Sequence, residues 1–211
     1  MFIQYIYRTL ALLIAFPVHE SAHGLVAYWL GDKTAKEQGR ITLNIVKHLD
    51  IWGTILMILA GIGWGKPVPI NPNNFKNPKN GMAISALAGP ISNLLLALIS
   101  MIIYRVLFYV CAEDSFIMNF LLMSVLLNVG LAVFNLLPIP PLDGSRIFNL
   151  FMSEDMYFKV MKYERYMMFI MLGLVYTGLL DKPLALFRSV ILNVLLFLTN
   201  WIDNIMLIFT S

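Results

Sequence analysis

Val18-His19-Glu20-Ser21-Ala22-His23 writes H-E-x-x-H into the middle of an apolar segment, where lipid tolerates none of these polar groups on its own. On a helix, residues four apart lie about 40° from each other around the axis, so His19 and His23 share a face and can grip one zinc ion. Glu20 is rotated by about 100° and stands beside the metal. Neutral imidazoles leave most of the 2+ charge on zinc, which acidifies a water while a nearby carboxylate takes its proton. Glu20 therefore reads as the general base and not as a ligand. In a charged soluble helix, chance would be a live explanation of the motif. At bilayer depth each such group costs roughly 2.5 kcal/mol or more, and three in one turn imply mutual or metal satisfaction.

The composition defines that solvent. Of 211 residues 59% are hydrophobic and 13% charged, and the mean hydropathy is +0.77. These values exclude a soluble globular domain and indicate an α-helical polytopic membrane protein. Apolar spans consume most of the length, so residues 1–211 read as a single membrane-embedded unit with no soluble domain of ordinary size. The lone Cys111 rules out an internal disulfide and a thiolate metal cluster, so a metal must rest on His, Asp or Glu. The net charge of +3 reflects lysine and arginine in loops and forms no nucleic-acid-binding stripe.

Outward from the motif, the first span runs from about Tyr5 to Leu30 and ends at Gly31-Asp32. Pro17 has no N–H for the Leu13 carbonyl, so a bend is expected just before the ligands. Gly39 to Ile45 alternates apolar and polar, the period-2 pattern of a half-buried strand. A short interfacial or re-entrant β element is expected there, either capping the loop or pairing by its edge with an extended peptide. His48, the third histidine, sits beside Asp50 and reads as a hydrogen-bonded surface residue ahead of a rival ligand. Ile51 to Trp64 is apolar but short of the roughly 20 residues of a straight crossing, so it reads as re-entrant or interfacial. Gly65 to Asn80, rich in proline and lysine, reads as extended basic loop.

A second span, about Met82 to Val110, repeats Ser85, Gly89, Asn93 and Ala97 every four residues, a small-residue stripe that lets another helix approach closely. Asn93 brings an amide to membrane depth and needs a partner there, with the active cavity one place to find it. The third span, about Phe116 to Leu137, runs into Pro138, Pro140 and Pro141, which stop the helix and force extended backbone before Asp143-Gly144. Taken alone, Asp143 reads as an N-cap for the following helix. Set beside an H-E-x-x-H that lacks a third ligand, it reads as that ligand. A charged, helical segment from Glu154 to Arg165 and two further apolar stretches, about Tyr166 to Leu180 and Leu184 to Phe209, complete the chain as scaffold or gate.

Lysine and arginine distribution orients the spans. Seven of the 15 basic residues lie in 31–80 (Lys33, Lys36, Arg40, Lys47, Lys66, Lys76, Lys79) and four in 139–165 (Arg146, Lys159, Lys162, Arg165). Both regions are expected in the cytoplasm, with the N-terminus outside and the metal opening toward the cytoplasmic side of the cell membrane.

Three blocks together resemble the site-2 protease family of intramembrane zinc metalloproteases: His19-Glu20-Ser21-Ala22-His23, Gly89-Pro90-Ile91-Ser92-Asn93, and Asn135 through Asp143-Gly144. Gly39-Arg40-Ile41-Thr42-Leu43-Asn44 and Gly65-Lys66-Pro67-Val68-Pro69-Ile70-Asn71-Pro72 are similar to compact prokaryotic members without PDZ or CBS domains. Ile45 and Ile51 stand where relatives frequently have proline. The resemblance implies a three-helix catalytic core (about 5–152) with accessory helices (about 153–211), one zinc ion on His19, His23 and Asp143, and Glu20 as the base. It also implies that Asn93 and Asn135 line the site and hold substrate or the developing oxyanion. The implied substrate is the transmembrane segment of another protein, cut after local unwinding in regulated intramembrane proteolysis, with a regulatory membrane partner as a further expectation. The competing readings are a zinc transporter, since intramembrane His and Asp can mark an ion path, and a catalytically silent scaffold that binds membrane segments.

Overall fold

The computed structural model describes residues 2–51, 53, 65–112 and 114–210. Seven helices are described: α1 (Phe2–Trp29), α2 (Thr34–Glu37), α3 (Pro78–Phe108), α4 (Phe116–Asn135), α5 (Asp143–Phe148), α6 (Glu154–Tyr176) and α7 (Asp181–Thr210). Among the described residues, four helices are long and apolar enough to cross a membrane: α1, α3, α4 and α7. The chain is a multi-pass α-helical membrane protein.

Local chemistry defines the ends of the helices around the site. Gly31, at φ 111°, follows α1, and the Asp32 N–H returns to the Ala27 carbonyl at 2.9 Å. That left-handed residue and long return bond satisfy carbonyls orphaned at the helix end. α3 begins with Pro78 in its first turn, behind Asn77, whose side chain accepts the Asn80 N–H. α4 ends at Asn135, and the proline-rich 138–141 turn carries the chain to α5, whose first residue is Asp143. Pro17 is accommodated inside a continuous α1 and is itself buried.

α1, α3 and α4 pack against one another, and α7 lies across α3 and α4. Ala97 and Met101 of α3, Val125, Val129 and Val133 of α4, and Leu184 and Leu195 of α7 form one apolar core. The stripe Ser85, Gly89, Asn93, Ala97 is buried along its whole length, so α1 and α4 approach α3 across small side chains. Charged 154–165 and the apolar stretch after it form one helix, α6, where the sequence suggested two segments.

The expected strand at Gly39–Ile45 is not formed. Ile41 to Leu43 is a run of bends, Ile45–Lys47 is a short 3-10 turn, and an isolated antiparallel bridge joins Leu49 to Gly65. Side chains take the backbone groups a ladder would need. The Thr42 N–H donates to Ser21 Oγ at 3.1 Å, while its carbonyl accepts from Ser21 Oγ at 2.7 Å and from His48 Nε2 at 2.8 Å. The Asn44 side chain accepts the Val46 N–H and winds the chain into the turn. Such local bonds compete with sheet pairing, and they tie this segment to α1 through Thr42 and Ser21. The 51–64 stretch, expected to be re-entrant, lies outside the described residues except at its first and third positions.

Candidate metal centre

α1 carries His19 and His23 on one face, α3 supplies the surface behind them, and α5 brings Asp143 in front. The separations are 3.0 Å between the two Nε2 atoms, 3.2 Å from His19 Nε2 to Asp143 Oδ2, and 3.3 Å from His23 Nε2 to the same oxygen. Zinc bonds of 2.0–2.1 Å in a tetrahedral site separate neighbouring ligand atoms by about 3.3 Å, so the triangle fits one face of a zinc tetrahedron.

The outer nitrogens define what the inner ones can do. His23 Nδ1 donates to the Ser85 carbonyl at 2.7 Å, and that oxygen can only accept. His19 Nδ1 donates to Asn93 Oδ1 at 3.0 Å. In the neutral imidazoles both Nε2 atoms therefore present lone pairs, and they converge on a carboxylate oxygen. Two imidazole nitrogens and a carboxylate oxygen at this spacing match the donor set a zinc ion uses.

Space for the imidazoles comes from Gly89. A Cβ there would stand 2.4 Å from His23 Nε2 and 2.6 Å from His19 Cε1. Gly144 has the same role for Asp143: its Cβ would meet the Leu136 carbonyl oxygen at 2.2 Å, so only glycine lets α5 turn so tightly against the end of α4.

A cavity of about 340 Å³ opens beside the triad, and Glu20, Val68, Ile70, Asn135 and Arg146 line it. Glu20 Oε2 accepts the Val68 N–H at 3.0 Å, which fixes the carboxylate at the cavity wall. Val68 lies in a loop held by Arg40, whose Nη2 donates to the carbonyls of Lys66 and Pro67 at 2.7 and 3.2 Å.

The structure brings His19, Glu20, His23 and Asp143 together and places Asn135 on the cavity wall, with its Nδ2 also bonded to the Leu131 carbonyl. Asn93 stands behind His19 and is not among the lining residues. His48 is fully buried and donates to Thr42, away from the triad. Sequence reasoning missed the Ser85 carbonyl, the Val68 N–H and Arg146. The first two are main-chain groups without a residue-type signature, while Arg146 follows Asp143 by one turn, a spacing visible in the sequence.

A family model described as Peptidase family M50 matches residues 109–177. The chain is 40% identical over 178 residues to a Bacillus subtilis (strain 168) protein named "Putative zinc metalloprotease YwhC", covering 82% of this chain and 81% of that one. It is 32% identical over 137 residues to "Putative zinc metalloprotease Rip2" of Mycolicibacterium smegmatis, covering 63% and 52% of the two chains. No solved structure matches. With a relative this similar over most of both lengths, the chain belongs to peptidase family M50, the site-2 protease family of membrane-embedded metalloproteases.

Proposed function

We propose that His19, His23 and Asp143 hold one catalytic zinc ion and that Glu20 is the proton acceptor in hydrolysis of a peptide bond within the transmembrane segment of a membrane protein. The observation that carries this reading is the convergence of three acceptor atoms 3.0–3.3 Å apart, with both outer imidazole nitrogens committed elsewhere. Zinc held there supplies Lewis-acid polarisation of water and of the scissile carbonyl.

The chain's own groups do the rest. Glu20, fixed by Val68, accepts a proton from the attacking water and returns it to the departing amine. Asn93 and Ser85 hold the imidazoles in the tautomer that keeps Nε2 free. Asn135 has one amide hydrogen beyond its bond to Leu131 and can offer it to the substrate carbonyl. A helical substrate keeps its carbonyls in internal bonds, so the segment must unwind before it can react.

The C-terminal end of α1, the N-terminal end of α3 and the start of α5 meet at the site. His23 and His19 stand six and ten residues before Trp29, about 9 and 15 Å along the helix. The basic loops flank that same end, which supports a site opening toward the cytoplasm. The shared core of α3, α4 and α7 supports one proteolytic unit over 1–211. Cleavage that releases a regulator, governed by a membrane partner, is the cellular setting that fits this reading. A transport site gives the Val68-held Glu20 no task.

The test is cleavage of a single-span peptide by purified protein in detergent. Wild type cleaves it, and Glu20→Gln or chelator abolishes cleavage; undiminished cleavage after either treatment would contradict the reading.

A further inference from the structure

One charged side chain on the cavity wall has no part in the chemistry above. Arg146 follows Asp143 by three residues in α5, so the two side chains project about 60° apart, and both line the cavity with Glu20. Arg146 is half-buried, and among the described residues it pairs with neither carboxylate nor any other group. A guanidinium stays charged in a protein and carries five donors.

The rest of the wall is rich in acceptors and poor in donors. Glu20, Asp143 and the two imidazole Nε2 atoms accept, Pro67 has no N–H, the Val68 N–H is committed to Glu20, and Asn135 has a single amide hydrogen to offer. An unwound peptide brings carbonyl oxygens that have lost their helical partners and need donors in a low-dielectric site. The molecule already shows how an arginine meets that need: Arg40 Nη2 bonds two successive carbonyls, Lys66 and Pro67, of a segment without regular secondary structure.

We propose that Arg146 anchors the substrate main chain, its guanidinium donating to carbonyl oxygens of the unwound peptide beside the bond that is cut. The proposal rests on the protease reading and adds a substrate-binding residue to it. The anchor is made with bound substrate and persists through the reaction, so its loss raises KM and leaves kcat nearly unchanged.

The experiment uses a fluorescein-labelled single-span peptide with a central Asn-Pro-Gly break, in neutral detergent. Binding is measured to full-length Glu20→Gln protein, with and without Arg146→Gln or Arg146→Lys, and cleavage is measured in the same Arg146 variants with Glu20 intact. Zinc content and thermal unfolding establish that each variant is folded. Arg146→Gln is expected to weaken binding by about tenfold or more, the range for a lost bond to a charged donor, and to raise KM in parallel. Arg146→Lys is expected to fall between, since an ammonium keeps the charge without the planar fork. Unchanged binding in both variants would overturn the proposal. So would a loss seen only in phosphatidylglycerol vesicles and absent in detergent, which would make Arg146 a headgroup ligand. If wild type neither binds nor cleaves the peptide, the protease reading falls with it; if wild type cleaves and Arg146 is indifferent, the anchor alone falls.

Discussion

Gly89 and His23 meet where α3 crosses α1, and a Cβ on the glycine would stand 2.4 Å from His23 Nε2, the atom aimed at Asp143. The clash falls on the atom proposed to bind zinc, so the side chain cannot give way without leaving that position. Gly89→Ala is expected to abolish zinc retention and cleavage while the helices still form. Measured zinc content equal to wild type would show that the imidazoles lie elsewhere.

Asn93 is expected to act through His19. Asn93→Leu removes the acceptor for His19 Nδ1, and loss of such an outer partner lowers metal affinity by about 10–100-fold. Competition with a calibrated chelator measures it, and unchanged affinity would contradict the assignment.

Val68 is expected to act on Glu20, the proposed base, and to leave the metal site unaffected. Val68→Pro removes the N–H that Glu20 accepts in a stretch already flanked by Pro67 and Pro69. The expected result is wild-type zinc content with kcat lower by about tenfold. Lost zinc alongside lost activity would point to a broader collapse of the loop.

Asp32 pins the 71–74 turn to the end of α1. Its carboxylate is fully buried and accepts from Thr34, Asn74 and the Asn71 N–H. Burial pushes its pKa up, but these hydrogen bonds outweigh burial and hold it below 3.8. A carboxyl with a depressed folded pKa contributes stability that is present above its unfolded value and lost as pH falls through the folded one. The protein should therefore lose this contribution below about pH 3.8. Asp32→Ala should cost about 2–4 kcal/mol at neutral pH, and unfolding of both proteins across pH reads the difference. An Asp32→Ala protein as stable as wild type at pH 7 would contradict the role.

Much of this was legible in the chain. The small residues of α3 declare a close approach because they recur every four positions, and the prolines after Asn135 declare a break that delivers Asp143. That His19 and His23 share one face of α1 follows from helical spacing alone. The 39–45 segment misled because alternation describes side chains, whereas the Thr42 backbone was claimed by Ser21 and His48, residues from outside the segment. The Ser85 carbonyl and the Val68 N–H were illegible for a related reason: every residue carries a carbonyl and nearly every one an N–H, so only packing reveals which ones the site employs.

The central claim is that His19, His23 and Asp143 hold zinc while Glu20 performs proton transfer without holding it. Zinc content and peptide cleavage, measured side by side for wild type, Glu20→Gln and Asp143→Ala, test it most directly. The account predicts that Glu20→Gln keeps wild-type zinc and does not cleave, whereas Asp143→Ala loses both. An Asp143→Ala protein that retains zinc and cleaves, or a Glu20→Gln protein that turns over substrate, would contradict it.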